Sequence, residues 1–124
     1  MKTKVLRASV KNALAEAAGI TAFHCLAPPW AKPPFLVFSM MLVSHGEAID
    51  RYDLMVDLSD YNPEEESKID DIADRVAEEL DAAEYLDGDI SWVSYLSNCN
   101  TIEESDKNIQ RRRLNFEVRL IERN

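Results

Sequence analysis

Two stretches of the chain alternate apolar and polar residues with a period of two, and this pattern limits the possible folds more than any other feature. From Arg51 to Ser59 the apolar set is Tyr52, Leu54, Val56 and Leu58. From Gln110 to Glu122, Leu114, Phe116, Val118 and Leu120 alternate with Arg113, Asn115, Glu117 and Arg119. Side chains of a strand point to opposite faces in turn, so each stretch is a half-buried strand whose apolar face needs a covering layer. Two helical patterns supply it. Leu6, Val10, Ala13, Leu14 and Ala17 fall on one helix face, which Gly19 ends. A second helix is predicted from Pro63, with Asn62 as cap, Glu65 completing a capping box, and Glu64, Glu65 and Glu66 at the positive end of its dipole. Ile69, Ile72, Ala73, Val76, Ala77 and Leu80 form its apolar face, Asp70, Asp71, Asp74, Glu78 and Glu79 its wet one, and Asp87-Gly88 closes it.

Between these elements lies a short apolar stretch, Thr21 to Leu26, then Pro28-Pro29-Trp30-Ala31-Lys32-Pro33-Pro34. Fixed φ angles and missing N–H donors exclude helix and central strand there, leaving a stiff connector that delivers the next strand. That strand, Phe35 to Val43, is apolar on both parities and reads as buried on both faces. A polar link, Ser44 to Asp50, joins it to the Arg51 strand. In a hairpin, burial fixes the register so that Leu36, Phe38, Met40 and Leu42 share a face with Tyr52, Leu54, Val56 and Leu58. A strand from Asp89 to about Asn98 and the Gln110 strand, joined by a polar loop, complete the pattern. The expectation is an α+β fold in the order α-β-β-β-α-β-β: a single mainly antiparallel sheet with both helices on its even-numbered face. Residues 1–124 are expected to form one domain, since a chain of 124 residues buries roughly two-thirds of its unfolded surface.

Charge is unevenly placed. Ser44 to Asp106 holds 20 acidic and 3 basic residues, whereas the two flanks together hold 3 acidic and 11 basic. An acidic surface repels phosphate, which argues against nucleic-acid binding by the whole domain, although the basic C-terminal segment suits an acidic partner. The longest apolar run, Phe35 to Val43, is far short of the roughly 20 residues of a membrane span. Cys25 and Cys99 lack the paired spacing of a disulfide framework or zinc ribbon, and the N-terminus has no signal-peptide pattern. A reducing, intracellular setting is expected.

The chain carries no Gly-rich phosphate loop, no nucleophile elbow and no pair of histidines at helical spacing. His24 and Cys25 with His45 and Cys99 have the ligand chemistry of zinc, but a buried Cys in a short strand and a loop His are the simpler reading. Asp57, Asp60, Glu64, Glu65 and Glu66 are suited to a hard cation, yet helix-start electrostatics explain the glutamates without one. Trp30, Trp92, Tyr95 and Tyr61 lack the basic surround of a base-stacking platform and fit packing or a protein interface. No catalytic residue, metal or cofactor is assigned, and the chain is read as a structural protein and not an enzyme.

The order of elements, with Pro33-Pro34-Phe35-Leu36-Val37-Phe38 and the strand and capped helix from Tyr52 to Leu80, resembles the tail-terminator, or tail-completion, proteins of long-tailed bacteriophages. The resemblance covers nearly the whole chain and is one of pattern. It implies a six-membered ring of identical copies that caps the tail tube, ends its polymerisation and offers a surface for the filled head. The implied partners are the chain itself, the tail-tube protein and a head-connector protein, with DNA passing through the lumen unbound and no membrane or cofactor. The implied location is the virion, and the host cytoplasm during assembly. On this resemblance, Ser44 to Asp50 and Cys99 to Ile109 would correspond to the family's mobile assembly loops. A ferredoxin-like binding or regulatory module without catalysis is the alternative.

If both helices cover the even face, the odd face of the Phe35 strand has no internal partner. Phe35, Val37, Met41, Val43 and Met55 then form an apolar patch that marks a subunit interface, with Arg111, Arg113 and Arg119 beside it to meet the acidic middle of an adjacent copy.

Overall fold

A computed structural model describes residues 2–61, 66–106 and 108–122. Helix α1 spans Thr3–Ala18, and strands β1 (Thr21–His24), β2 (Phe35–His45) and β3 (Ile49–Asp60) follow it. Helix α2 spans Glu66–Leu80, and β4 (Ala83–Asp87), β5 (Ile90–Ile102) and β6 (Gln110–Glu122) complete the chain. The six strands form one mixed sheet in the order β1-β2-β3-β6-β5-β4. β1 runs parallel to β2, and every other pair is antiparallel. The fold is thus α+β, with two helices and a mainly antiparallel sheet.

The alternating segments bury the predicted residues. Tyr52, Leu54, Val56, Leu58, Leu114, Phe116, Val118 and Leu120 are all at most 1% exposed. They share one cluster with Leu6, Val10 and Leu14 of α1 and with Ile69, Ile72, Val76 and Leu80 of α2. The hairpin register is the one that burial requires, with Leu36 opposite Leu58, Phe38 opposite Val56 and Met40 opposite Leu54. α1 stops at Gly19, whose φ of 69° lets its N–H reach the Ala15 carbonyl at 2.9 Å. Asn62, Pro63, Glu64 and Glu65, the predicted cap of α2, lie outside the described residues.

Four expectations are corrected. α2 ends at Leu80, and Asp87-Gly88 is the turn of a β4–β5 hairpin, so the order is α-β-β-β-α-β-β-β with one strand more than the sequence pattern gave. Asp-Gly serves as a hairpin signal as readily as a helix stop, and Gly88 adopts φ 60° there. Tyr85 of the added strand stacks on Trp92 with centroids 4.1 Å apart. Secondly, β2 is not buried on both faces: Leu36 and Phe38 are, but Met41, Leu42 and Val43 are 62%, 37% and 56% exposed. This end of the hairpin extends past its cover. Thirdly, both polar loops are shorter than expected, since β2 and β3 continue to His45 and back from Ile49, and β5 continues to Ile102. Gly46 makes the tight turn, its N–H bonded to the Ile49 carbonyl at 3.0 Å where a Cβ would stand only 2.8 Å from that oxygen. Fourthly, Cys25 is not buried in a strand; it is exposed just beyond β1 with φ 66°.

Candidate functional site

The odd-numbered side chains of β2, β3 and β6 form the sheet face opposite the buried cluster. The register sets Val37 beside Asp57 and Asp57 beside Arg113. It also sets Ser39 beside Met55 and Met55 beside Asn115, and Met41 beside Asp53 and Asp53 beside Glu117. The face is therefore striped: apolar on β2, mixed with acids on β3, and cationic on β6. Met55 is half-buried, while Met41 and Val43 project from the exposed end of the hairpin.

The three predicted arginines find partners in their own chain. Arg113 donates to both carboxylate oxygens of Asp57, from Nε at 2.7 Å and Nη2 at 3.3 Å, and this bonding raises the guanidinium's pKa above its ordinary value. Arg111 lies 3.7 Å from the same carboxylate and 2.6 Å from Glu104. Arg119 pairs with Glu117 and sits over the Tyr95 ring, 5.1 Å from its centroid. One in-register pair across β3 and β6, Asp57 with Arg113, together with Glu104 and with Glu117 of β6 itself, offsets the charge of these arginines within the chain. Phe35 is also engaged at home, packed edge-on to Phe23 at 6.0 Å, while Trp30, itself 75% exposed, lies edge-on to Phe23 at 6.2 Å.

An open cleft of about 370 Å³ lies at the Phe35 end of this face, between the connector after β1 and the loop before β6. Leu26, Phe35, Val37, Asp57, Glu104 and Arg111 are among the residues that line it. Of its acids, Asp57 and Glu104 are paired with Arg111 or Arg113, whereas Asp60, also in the lining, accepts from the Tyr61 N–H through Oδ1 at 2.8 Å.

The residues weighed for metal or thiol chemistry are dispersed. His24 and Cys25 are adjacent, with Sγ 3.2 Å from Nε2, on the β1 edge. His45 stands at the far end of β2 with Nδ1 2.5 Å from Asp50. Cys99 is on β5, separated from β1 by three strands. Among the described residues no group of three or more His, Cys, Asp or Glu side chains is placed to hold a metal ion. Cys99 is exposed, and partial desolvation of its thiol pushes the pKa above its ordinary value, with the nearby Asp74 adding to the effect. Burial also lowers the pKa of His24, with Arg7 and Lys11 contributing. Of the aromatic residues, Trp92 is buried and donates to Ser9 Oγ, whereas Tyr61 is exposed.

Sequence periodicity missed the two places where a strand outruns its neighbour. β1 pairs with β2 only as far as Phe38, and β4 pairs with β5 only as far as Ser94. Each bare stretch contains a bulge, with one extra residue between Leu42 and Ser44 in β2 and one between Leu96 and Asn98 in β5. A bulge leaves no mark on composition, and strand overhang depends on neighbours remote in sequence.

No family model and no curated protein matches the chain. Among solved structures it is similar to a chain in the virion of a native gene transfer agent (GTA) particle, with a TM-score of 0.65 and 15% identity over 87% of this chain and 84% of that one. The likeness runs through most of both chains, and the α+β fold described above is one that a protein of that particle shares.

Proposed function

We propose that this chain is a virion structural protein of phage-like particles, and that it forms a ring capping the tail tube, where it ends tube growth and offers the surface for head attachment. The carrying observation is the fold shared with a chain of the GTA virion over most of both lengths. The resemblance of element order to tail-terminator proteins supports the finer assignment. Its partners on this reading are further copies of itself, the tail-tube protein and a head-connector protein, and DNA traverses the lumen without specific contacts. Chemistry plays no part: the function lies in surfaces.

The assembly surface is the exposed end of the odd face, centred on Met41, Val43 and Met55 and continuing toward Phe35 and Val37. Arg111, Arg113 and Arg119 border it as ion-paired, oriented groups. Apolar side chains left in water at a hairpin end favour burial against a partner. Disrupting the gene in its phage and viewing the lysate by electron microscopy tests the assignment. Overlong tails without heads are expected; particles of normal length with heads attached would refute it.

A further inference from the structure

We propose that the two bare strand edges are complementary halves of one joint, in which the β2 edge of one copy pairs antiparallel with the β5 edge of the next. Beyond Phe38, β2 continues to His45 without a neighbour on the β1 side, and beyond Ser94, β5 continues to Ile102 without one on the β4 side, among the described residues. Natural sheets blunt such edges with charge or proline. These edges have neither: Ser39 to Ser44 and Tyr95 to Ile102 contain no charged residue and no proline, in a chain that is 30% charged.

Which backbone groups face each edge is fixed by bonds already made. The Phe38 carbonyl accepts from Cys25 N–H at 2.8 Å, so it points to the β1 side, and alternation turns Met40 and Leu42 the same way. Leu96 N–H bonds Asp81 at 2.9 Å on the opposite edge, and past the extra residue Ser97 the groups that follow it outward are those of Cys99 and Thr101. Met40 opposite Thr101 and Leu42 opposite Cys99 bring all of these groups together. The same register sets Ser39 against Ile102 and Met41 against Asn100, keeping the odd face continuous from one copy to the next.

Two kinds of alternative register fail. An odd shift would oppose groups that face away from each other and swap the two faces. Sliding β5 two residues further along would drive its Ile102 end into β1, which occupies the edge up to Phe38. In the stated register β4 sits beyond the end of the neighbouring β2, and the neighbouring β1 lies beyond Ile102, so the short outer strands act as stops. Each copy then adds the four strands β2, β3, β6 and β5 with an offset of four residues, equivalent to a strand tilt of about 35° at the usual spacings. That is the tilt at which a sheet closes on itself, so the head-to-tail joint favours a ring over an open ribbon.

The joint rests on the β2 end being a self-assembly surface, and not on the tail-tube reading. Disulfide trapping on purified protein tests it, with Cys25 and Cys99 first changed to Ser. Met41→Cys with Asn100→Cys is expected to give interchain disulfides on mild oxidation, because the two positions form a non-hydrogen-bonded pair about 4.5 Å apart across the joint. Within one chain they are at least three strand spacings, roughly 14 Å, apart. Met41→Cys with Thr101→Cys, which places the thiols on opposite faces, is expected to give several-fold less. Equal yields from both pairs, oligomers lacking the 41–100 disulfide, a protein that scatters light as a monomer at every concentration, or capture of a different polypeptide would each overturn the proposal. Normal particles after gene disruption would instead defeat the tail-terminator reading and leave this joint standing.

Discussion

Trp92 Nε1 donates a 2.8 Å hydrogen bond to Ser9 Oγ, tying the turn-proximal start of β5 to α1 within the core. Both residues are buried, at 1% and 7% exposure, so water cannot replace either partner. Ser9→Ala leaves the indole N–H without an acceptor and is expected to cost about 1–3 kcal/mol, read as a lowered urea midpoint at unchanged slope. A neutral substitution would mean that the indole finds another acceptor.

Asp57 is the electrostatic hinge of the open face, held by both Nε and Nη2 of Arg113 and approached by Arg111. The carboxylate is only 17% exposed, while the arginines are more open, so the pair is worth more than a surface bridge and less than a buried one. Asp57→Asn is expected to destabilise by about 1–2 kcal/mol. A double-mutant cycle with Arg113→Gln isolates the coupling, and strictly additive losses would show that the two groups stabilise the fold independently.

The two helices, the two alternating strands and the β2–β3 register were legible because each leaves a periodic signature: Leu54 and Phe116 are buried where a period of two puts them. β4 was not, since Ala83 to Asp87 has five residues directly after a strong helix pattern and its main anchor, the Tyr85–Trp92 stack, is a tertiary contact. Met41 and Val43 are exposed on β2, and composition could not tell a doubly buried strand from one whose end protrudes. The arginines' partners were invisible for a related reason. Only the β3–β6 register reveals that Arg113 faces Asp57 in its own chain.

His24 supplies a pH dependence with a definite sign. Burial, aided by Arg7 and Lys11, lowers its pKa from 6.5, so the unfolded chain binds the proton more readily than the folded one. Its contribution to stability is present above about pH 6.5 and is lost as the pH falls toward and through the depressed folded value. Melting temperatures of the native protein and His24→Gln, compared from pH 8 to pH 5, should diverge from the difference seen at pH 8 as acid destabilises the native chain more. Parallel curves would assign the acid sensitivity elsewhere.

Cys99 is exposed, yet it is expected to be a slow nucleophile, because partial desolvation of the thiol and the neighbouring Asp74 disfavour its thiolate. Alkylation by iodoacetamide at pH 8, followed by mass spectrometry, should modify it several-fold more slowly than a free cysteine thiol. Cys25→Ser and Cys99→Ser should assemble like the native chain, since neither thiol has an assigned chemical role. Stoichiometric zinc in protein purified without added metal would contradict that.

Met41→Glu separates assembly from folding. The side chain is 62% exposed and lies on β2 beyond the end of β1, so a carboxylate there stays in water and should change the stability of the isolated chain by no more than about 0.5 kcal/mol. Asp53 is its cross-strand neighbour, and the added repulsion accounts for the direction of any small loss. Between copies the outcome differs, since a charge on a bare strand edge is the device by which sheets prevent edge-to-edge pairing. The mutant should therefore keep its helical circular dichroism and cooperative melting while light scattering finds monomers, and phage carrying it should fail to terminate tails. Leu58→Glu provides the contrast: Leu58 is 1% exposed in the shared core, and a buried, unpaired carboxylate there should unfold the protein. If Met41→Glu unfolds as Leu58→Glu does, the β2 end is part of the core and copies must meet elsewhere.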